Sequence, residues 1–594
     1  MEFHDRTTGL FIDDSSQKIT TGTSNDESLR KALARYILSA SGWRAVMAAS
    51  GDEEDHKSDV NEEDLLIAAA AAVAFMDYLG KESPRLLLGC DARPTGRLLS
   101  AAVRRAMIAK GAVVDDIFIS AAPEIMAASH HYDGFFYISA SHNPVGHNGY
   151  KFGTNGGVYP KEVMDKIIPP FKASIEKDGA ADELRALIDN ASEEELKNVL
   201  RHHNFAKLIS LLRYKSFVKR TARADSSFTL PFGIAIDFNG SARTASIDKT
   251  FLRSHGASIW VLGGEPGQIE HAIVPEGENL EHVRKALEAV HADNSSFILG
   301  YMPDNDGDRG NFVYTGKNGK AHIMSAQTVF ALVAAIELSY DAFKGKKKIA
   351  IAINGPTSLL IDEIANKLGA EVFRSDIGEA NVVSLADKLR AEGYTCRVCG
   401  EGSNGGNITY PARVRDPMNS LMTFAKIWSV DGLYNFIMEK LGKKAEEEPS
   451  IYSLVNALPK YITTSAFSSD AVMHIKSTDY NKLKAEYEDI LQYEGNGRMP
   501  ESFSRWEVRQ YEGAAEDIGI GTEHRAPDST GGLKVQFYDS NNNAVSYLWL
   551  SKSRTEPVIR TMVDIKGTDK KLHDYLLSWQ REMVKRADDR VLNS

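Results

Sequence analysis

The chain has 594 residues, with 70 basic and 81 acidic side chains and a formal net charge of −11. Apolar residues make up 43% and charged residues 25%, a balance typical of globular proteins that excludes wholesale disorder. The acidic excess argues against a nucleic-acid-binding surface, which is usually basic, yet a local basic pocket can still bind a small anion. At roughly 100–200 residues per domain, the length predicts roughly three to five domains.

The cysteine content and the N-terminal segment bear on the compartment. Three cysteines, Cys90, Cys396 and Cys399, are too few for a disulfide framework and favour a reducing environment. The first residues carry neither the basic nor the apolar block of a signal peptide, and the longest apolar run, 65–76, is shorter than the roughly 20 residues that span a bilayer. We therefore expect a soluble, cytoplasmic protein with no membrane or nucleic-acid partner.

Strand-like apolar runs alternate with helical stretches for most of the chain, as in α/β domains with largely parallel sheets. The predicted helices cover 62–79, 279–290 and 325–339. The predicted strands are, in chain order, 85–90, 135–138, 234–238, 297–300, 349–353 and 395–399. After about residue 500, alternating segments such as GGLKVQF and AVSYLWL predict a smaller α+β unit.

Changes in this pattern suggest the domain boundaries. Residues 180–225 are helical and basic, with a capping box from Ser192 and Glu195, and we assign them to the end of the first domain. New strand- and glycine-led sequences begin at about 232 and 347. The four predicted domains are 1–228 with its helical C-terminal extension, 229–345, 346–495 and 496–594.

The most informative loop, residues 139–151, directly follows the predicted strand 135–138. In open α/β sheets, the carboxyl ends of the strands are where ligands bind. Ser141 stands among small and polar residues, and such a serine serves as a nucleophile or phosphate carrier when a base or a cation assists it. Lys151 would supply positive charge or proton transfer. The alternative is a plain turn, since Ser, Asn and Gly favour turns by themselves.

A second loop carries three alternating aspartates, Asp304, Asp306 and Asp308, after an apolar strand. In an extended loop this spacing turns three carboxylates toward one point, which suits Mg²⁺. An EF-hand is excluded because its sixth position would be Arg309 and its twelfth Thr315. An acidic surface turn is the remaining alternative, but crowded carboxylates repel one another without a neutralising cation.

Two further loops offer ligand-binding groups. Glu401 and Ser403, on the glycine-rich turn after the strand 395–399, suit sugar hydroxyls, although a plain loop can have the same composition. The segment 551–560, which follows YLWL, combines hydroxyls, a lysine and two arginines into an anion cradle. A solvated basic turn is the alternative for this segment.

Two other patterns are weaker. Cys396 and Cys399 have the spacing of half a zinc site or of a redox pair, but no second pair accompanies them and both lie on a predicted strand. His130 and His131 are adjacent, and neighbouring residues rarely converge on one metal ion.

Taken in order, the four loops resemble those of the α-D-phosphohexomutase family, which includes phosphoglucomutases and phosphomannomutases. The resemblance runs from about residue 35 to 580 and includes two shorter matches, SGWR at 41–44 and GCDAR at 89–93. It implies three topologically similar α/β domains and a smaller C-terminal α+β domain around a central cleft. It also implies transfer of a phosphoryl group between C1 and C6 of a hexose phosphate, through a phosphoserine and a bisphosphorylated sugar.

The resemblance assigns roles to residues of each predicted domain. Ser141 in the first would be the phosphoserine, and a hexose 1,6-bisphosphate would be the activator and intermediate. The expected Mg²⁺ ligands are Asp304, Asp306 and Asp308 of the second domain, with a phosphoserine oxygen of Ser141. The residues expected to add positive charge or move protons are Arg44, His142, Lys151 and Arg309. Those expected to bind the sugar and its distal phosphate are Glu401, Ser403, Lys552, Ser553, Thr555 and Arg560.

Three departures from the family pattern bear on the substrate. In the phosphate loop, Ser551 replaces the arginine of most members, and Arg554 replaces their glycine or asparagine. In the sugar loop, the segment after Ser403 lacks a histidine that several bacterial members have. Before the SGWR match, Ser39-Ala40 replaces the family's Gly-Thr. The length favours phosphoglucomutase slightly over phosphomannomutase. The alternatives are a phosphopentose or phosphoglucosamine mutase, and a non-catalytic sugar-phosphate-binding protein on the same scaffold.

Overall fold

Strands flanked by helices recur along the chain, which the computed structural model divides into two units. The first unit is Met1–Met324 with Pro411–Met422, and the second is Ser325–Tyr410 with Thr423–Ser594. The residues that the structure describes are 1–39, 42–224, 228–404, 406–466, 468–525, 530–552 and 558–593.

The first large sheet carries the predicted serine loop. With the hairpin before it and the helices around it, its elements are β1 (Glu2–His4), β2 (Phe11–Asp14), α1 (Asp26–Leu33), β3 (Ile37–Ser39), β4 (Gly42–Val46), α2 (Glu62–Leu79), β5 (Arg85–Cys90), α3 (Gly96–Ala109), β6 (Val113–Ile119), α4 (Ala122–Ser129), β7 (Gly134–Ile138), β8 (His147–Thr154), β9 (Gly157–Val158), α5 (Lys161–Glu176), α6 (Ala180–Asp189) and α7 (Glu193–Ala222). The strand order is β3-β4-β8-β7-β5-β6, and β5 is parallel to β6 and β7. Strand β7 is buried along its whole length because both faces of such a parallel region are covered.

Helix α2 shows how the sequence sets these elements. Glu62, Glu63 and Asp64 occupy its first turn, where acidic groups stabilise the positive end of the helix dipole. Gly80 caps its C-terminal end with a left-handed φ of 62°, which glycine adopts without strain. Residues 65–76 are apolar around the whole circumference, and α3, α5 and α6 pack against this helix.

The second sheet carries the predicted aspartate loop. Its strands and helices are β10 (Gly233–Asp237), α8 (Asp248–Ser254), β11 (Ser258–Leu262), α9 (Glu281–Asp293), β12 (Phe297–Pro303), β13 (Gly310–Thr315) and β14 (Ala321–Ile323). The order is β11-β10-β12-β13-β14, and β12 is parallel to β10 and antiparallel to β13. The aspartates therefore lie in a hairpin loop that the Pro303–Gly310 pair closes.

The remaining elements build two more sheets. They are α10 (Ala326–Phe343), β15 (Ile349–Asn354), α11 (Leu360–Lys367), β16 (Glu371–Ser375), α12 (Glu379–Ala391), β17 (Thr395–Gly400), β18 (Asn407–Thr409), α13 (Pro417–Ser429), α14 (Leu433–Lys440), α15 (Ile451–Ala457), β19 (Tyr461–Thr463), β20 (Val472–His474), α16 (Tyr480–Arg498), β21 (Arg505–Glu512), β22 (Ala515–Ile518), β23 (Leu533–Tyr538), β24 (Ala544–Lys552), β25 (Val558–Lys566) and α17 (Lys570–Asn593). The sheet orders are β16-β15-β17-β18 and β19-β25-β24-β23-β21-β22, and β20 also pairs with β25.

Two features differ from the predicted domain boundaries. Helix α10, predicted within 229–345, belongs to the second unit, where it packs on β15 and β17. Strands β19 and β20 pair with β25 although they precede residue 496, the predicted start of the fourth domain. Both placements come from pairing and packing between distant segments, which local patterns do not report. The four domain ranges as a whole stay a prediction.

Helix α10 also has the length and composition of a membrane-spanning helix. However, 72% of its apolar window is buried inside the protein. Helices α11 and α14 pack against it. This burial is typical of a core helix, which is apolar on all sides.

Candidate active site

The serine loop holds Ser141 in an unusual backbone conformation. Its φ of 54° is left-handed, which costs a residue with a side chain about 1–3 kcal/mol. The Ser141 N–H donates to Ser139 Oγ at 2.9 Å, and Arg93 Nη2 donates to the Ser141 carbonyl at 2.9 Å. Strain of this kind persists where the surroundings fix the backbone, commonly at functional sites.

Arg93 anchors this loop to the end of β5. Its guanidinium forms a buried ion pair with Asp91 and donates to the carbonyl oxygens of both Ser141 and Asn143. These are the Asp and Arg of the GCDAR segment. The structure therefore gives that match a physical role, which is to position the serine loop.

The aspartate loop requires glycine at its centre. Gly307 has a φ of 69°, and a Cβ there would lie 2.6 Å from Cγ of Arg243. The buried Arg243 donates to the Gly307 carbonyl through Nε and Nη2, at 3.0 and 2.8 Å. It also pairs with Asp416 and hydrogen-bonds the Tyr214 hydroxyl. The conformation of the loop is thus fixed from outside by a residue that the sequence patterns missed.

The structure brings Ser141 to the three aspartates. Ligand oxygens of Asp304, Asp306 and Asp308 lie within 4.8 Å of one another, and all three side chains are buried. Ser141 Oγ donates to Asp304 Oδ2 at 3.2 Å. Lys151 Nζ donates to Asp306 Oδ2 at 2.6 Å, in a buried ion pair.

The acidic triad fits a cation. Asp306 Oδ1 and Asp308 Oδ1 are buried and accept no hydrogen bond from any residue that the structure describes. A buried carboxylate oxygen without a donor is costly, and a bound cation removes that cost. Within the described part of the chain, this is the one group of three or more His, Cys, Asp or Glu residues arranged to share an ion. Clustered carboxylates are the ligands that Mg²⁺ prefers.

The charges around the triad are unequally distributed. Burial, and then the charges of Asp306 and Asp308, raise the pKa of Asp304 well above its usual value. Burial would also raise the pKa of Asp308, but the charges of Arg415 and Lys151 hold it below its usual range. Arg415 Nη2 donates to Asp308 Oδ2 at 2.8 Å. A bound cation would favour the charged form of Asp304.

Cationic residues and a neutral histidine complete this part of the site. Burial, and then the charge of Arg309, lower the pKa of Arg44 on β4 to about 10. Burial alone would lower the pKa of Lys151, but the charges of Asp306 and Asp308 together outweigh burial and raise that pKa. The charge of Arg309, and then burial, lower the pKa of His142 well below its usual value, so His142 is neutral at neutral pH. The structure thus gathers the predicted catalytic side chains Ser141, His142, Lys151, Arg44 and Arg309 around the aspartates.

The predicted sugar-binding pair is linked through a third residue. Asn354, the last residue of β15, donates from Nδ2 to Glu401 Oε1 at 3.0 Å and to Ser403 Oγ at 3.3 Å. Glu401 also accepts from the Gly378 N–H at 2.8 Å. Asn354 and Glu401 meet because β15 and β17 are adjacent and parallel, so their carboxyl ends lie at one edge of the sheet.

The predicted phosphate loop is described only at its ends. Lys552 Nζ lies 4.1 Å from the ring centre of Tyr480, and Arg560 Nη1 donates to the Ala466 carbonyl. The two residues lie on the adjacent strands β24 and β25. The other predicted members, Ser553 and Thr555, lie outside the described residues, as does Ser41 of the SGWR segment.

The two weaker patterns of the sequence are accounted for by packing. Cys396 and Cys399 are buried and free, and burial raises the pKa of the Cys396 thiol to about 11, which disfavours redox chemistry. The His130 ring stacks on Phe217, with ring centres 6.0 Å apart.

Comparison with known proteins identifies the family. Two family models match, the alpha/beta/alpha domain I of phosphoglucomutase/phosphomannomutase over 51–178 and its domain III over 327–448. A phosphoglucomutase/phosphomannomutase of Thermococcus kodakarensis is 26% identical over 505 residues, which cover 84% of this chain and 89% of that protein. The chain belongs to the α-D-phosphohexomutase family.

Other members support the same assignment. A phosphoglucosamine mutase of Ruminiclostridium cellulolyticum is 23% identical over 429 residues, covering 70% of this chain and 83% of that protein. A phosphoglucomutase/phosphomannomutase family protein from Burkholderia thailandensis has a TM-score of 0.59 at 16% identity, over 93% of this chain and 97% of that one. The parafusin phosphoglucomutase of Paramecium has a TM-score of 0.56 at 14% identity, over 88% and 92%. These structures confirm the predicted multi-domain α/β fold of this phosphohexomutase.

Proposed function

We propose that this phosphohexomutase is a Mg²⁺-dependent intramolecular phosphotransferase that moves a phosphoryl group between C1 and C6 of a glucose or mannose phosphate. Its family supports the reaction class. The observation that carries the proposal is the hydrogen bond from Ser141 to Asp304, at the edge of a buried acidic triad that has two carboxylate oxygens without donors. A hydroxyl next to a cation site is what a phosphate-carrying serine requires.

Ser141 carries the phosphoryl group in the proposed cycle. A sugar hydroxyl attacks the phosphorus, the bond from phosphorus to Ser141 Oγ breaks, and a hexose 1,6-bisphosphate forms. After the sugar reverses its orientation, Ser141 Oγ attacks the other phosphate and the isomeric monophosphate leaves. The proton of the attacking sugar hydroxyl passes to a base in the first transfer and returns to the product in the second, so the cycle balances.

Residues of the first unit supply the electrostatics of this cycle. Asp304, Asp306 and Asp308 would hold Mg²⁺, together with a phosphoryl oxygen on Ser141. When bound, Mg²⁺ neutralises the charge on the transferring phosphoryl oxygens. The positive charge of Lys151 acts on the same oxygens. His142, which is neutral, is the proposed proton acceptor.

Residues of the second unit bind the sugar phosphate. Glu401 and Ser403, held together by Asn354, suit two neighbouring sugar hydroxyls. Lys552 and Arg560 flank the loop that would bind the distal phosphate. One hydroxyl distinguishes glucose from mannose, and a few hydrogen bonds decide between them. Because a phosphoglucosamine mutase is among the relatives, glucosamine phosphate is the second candidate substrate.

Coupled turnover of the 1-phosphates of glucose, mannose, glucosamine and ribose tests the proposal. The assays contain Mg²⁺ and the matching bisphosphate, with Ser141→Ala as the blank. We expect turnover of glucose or mannose 1-phosphate well above the blank and above ribose 1-phosphate. Tight binding of sugar phosphates without turnover of any of them would instead support a non-catalytic binding protein.

A reducing compartment is part of the proposal, because the three buried cysteines are free.

A further inference from the structure

Helix α7 supplies no catalytic or ligand-binding side chain to the proposed chemistry and lies between the two ranges that the family models match. One face of α7 packs on the rest of the first unit. Lys207 forms a buried ion pair with Glu124, and His203 hydrogen-bonds both Asp5 and the Asp116 carbonyl. The buried residues of this face recur at helical spacing, at 196, 200, 203, 207, 210 and 214.

The opposite face carries large apolar side chains in the open. Phe205 is 63% exposed, Leu208 52% and Leu212 54%. Their spacings of three and four residues place them on one stripe, and at 100° per residue Phe205 points about 200° away from the buried His203. Clustered exposed apolar side chains on one face mark an interaction surface.

The charges along the same stripe are arranged in opposite blocks. Residues of the stripe follow one another at alternating spacings of four and three, which is a heptad pattern. We call this set the α7 stripe, and its members are Glu194, Asn198, Arg201, Phe205, Leu208, Leu212, Lys215 and Lys219. Its N-terminal end is acidic, since Glu193, Glu194 and Glu195 form the first turn of α7. Its C-terminal end is basic, with Lys215 and Lys219, and Arg201 and the three apolar residues lie between the two ends.

We propose that the α7 stripe is a two-fold dimer interface, in which α7 packs antiparallel against α7 of a second copy of this chain. When two copies of a helix pack antiparallel, each residue faces a residue of the second copy, and the two residue numbers of every facing pair add up to the same sum. A sum of 413 places Phe205 opposite the second copy's Leu208, Leu212 opposite the stem of Arg201, and Glu194 opposite Lys219. Apolar groups then meet at the centre, and opposite charges meet at both ends.

The same charges disfavour other occupants. A parallel pairing would place Arg201, Lys215 and Lys219 each against its own copy, and like charges at an interface are repulsive. An anionic membrane surface would meet the three glutamates of the first turn at one end of the helix. A second copy satisfies both ends because a two-fold interface matches each patch with its complement.

Sedimentation equilibrium of the full chain tests the interface. We expect a dimer in which Leu208→Glu weakens association at least about a hundredfold, because it buries two charges at the centre. Mutase activity and the far-ultraviolet spectrum should not change, since Leu208 is remote from the catalytic residues in sequence and exposed. Tyr493→Glu is the matched control, because Tyr493 is 90% exposed on α16 and lies outside the stripe.

Two further measurements test the register. Glu194→Lys and Lys219→Glu should each weaken the dimer several-fold, and the double variant should restore it. A mixture of Phe205→Cys and Leu208→Cys chains should form more oxidised heterodimer than either chain forms with itself, and the three native cysteines are buried and do not interfere. A monomer at all concentrations, a dimer insensitive to Leu208→Glu, or vesicle binding lost with Leu208→Glu would each overturn the proposal.

Discussion

The serine–aspartate site of the first unit and the sugar-phosphate loops of the second differ in how their charged groups are held. In the first, Asp306 is paired with Lys151 and Asp308 with Arg415, all of them buried. In the second, Glu401 accepts from the neutral groups of Asn354 and Gly378. Lys552 lies on an aromatic ring, and Arg560 donates to a backbone carbonyl.

The difference corresponds to two tasks. Groups that stabilise developing charge work best when they are fixed before the substrate arrives, and buried ion pairs fix them. Groups that bind and release a sugar phosphate must exchange their contacts in each cycle, and hydrogen bonds to neutral groups, such as those that Asn354 and Gly378 donate to Glu401, cost less to exchange. We therefore expect substitutions in the first unit to lower kcat and those in the second to act mainly on KM.

The largest effect is expected for Ser141→Ala. Without the phosphate carrier, mutase activity should fall by at least about four orders of magnitude, as for other covalent nucleophiles. The coupled assay measures this loss, with Ser83→Ala as control because Ser83 lies in a surface loop, where its Oγ donates to the Gly111 carbonyl. Near-normal activity of Ser141→Ala would show that the serine loop has another role.

Asp304→Asn should separate function from stability. Activity should fall by about two to three orders of magnitude, because the cation site loses a ligand. The metal-free protein should become more stable by about 1 kcal/mol, because one of three crowded carboxylates is neutralised. Thermal unfolding with and without Mg²⁺ measures both effects. Mg²⁺ should raise the Tm of the wild type but not of the variant, and an equal rise in both would contradict the metal assignment.

Arg415→Met should weaken the site through Asp308. Loss of a residue that orients a metal ligand typically costs about 10–100-fold in metal affinity or activity, and we expect that range for the apparent affinity for Mg²⁺. Arg397→Met is the matched control, because Arg397 also forms a buried ion pair, with Glu337. The control should lower the Tm and leave Mg²⁺ dependence unchanged. Equal Mg²⁺ dependence in both variants would rule out a positioning role for Arg415.

Glu401→Gln tests the sugar-binding loop of the second unit. The amide keeps the size of the side chain but loses the charge, so kcat/KM should fall about 10–100-fold, the effect of one hydrogen bond to a charged group. Most of the loss should lie in KM. A variant that lost kcat alone would place Glu401 with the chemical groups and would remove the contrast between the two units.

The smallest effect is expected for Lys552→Met. Lys552 contacts the Tyr480 ring, an interaction worth about 0.5–1 kcal/mol at an exposed site, and the substitution keeps the apolar stem. The KM should rise less than about tenfold, with kcat unchanged. Steady-state kinetics would contradict this expectation if the variant were as impaired as Arg415→Met.

Local sequence patterns predicted the parts of the site that depend on neighbours in the chain. The strand at 85–90 has the predicted bounds, and the serine and aspartate loops follow β7 and β12 as expected. The alternation of Asp304, Asp306 and Asp308 was sufficient to predict that their carboxylates converge. Short-range geometry decides these features, and sequence spacing reports it directly.

The residues that the sequence reasoning missed act over long distances. Arg415 reaches Asp308 across 107 positions, and Arg243 reaches Gly307 across 64. Asn354 is the last residue of the strand IAIAIN. A rule that takes the last polar residue of each strand as a candidate site residue would have identified it from the sequence. The pairing of β19 and β20 with β25 was missed for the same reason, since only tertiary structure brings those segments together.

Mapping the phosphoryl group tests the central claim most directly. The protein is incubated with glucose 1,6-bisphosphate and Mg²⁺, and its intact mass and its peptides are then measured, with Asp304→Asn treated in parallel. We predict one added phosphoryl group, located on Ser141, removed by excess glucose 1-phosphate and formed at least about a hundredfold more slowly in the variant. A phosphoryl group on another residue, or one on Ser141 that glucose 1-phosphate does not remove, would contradict the account.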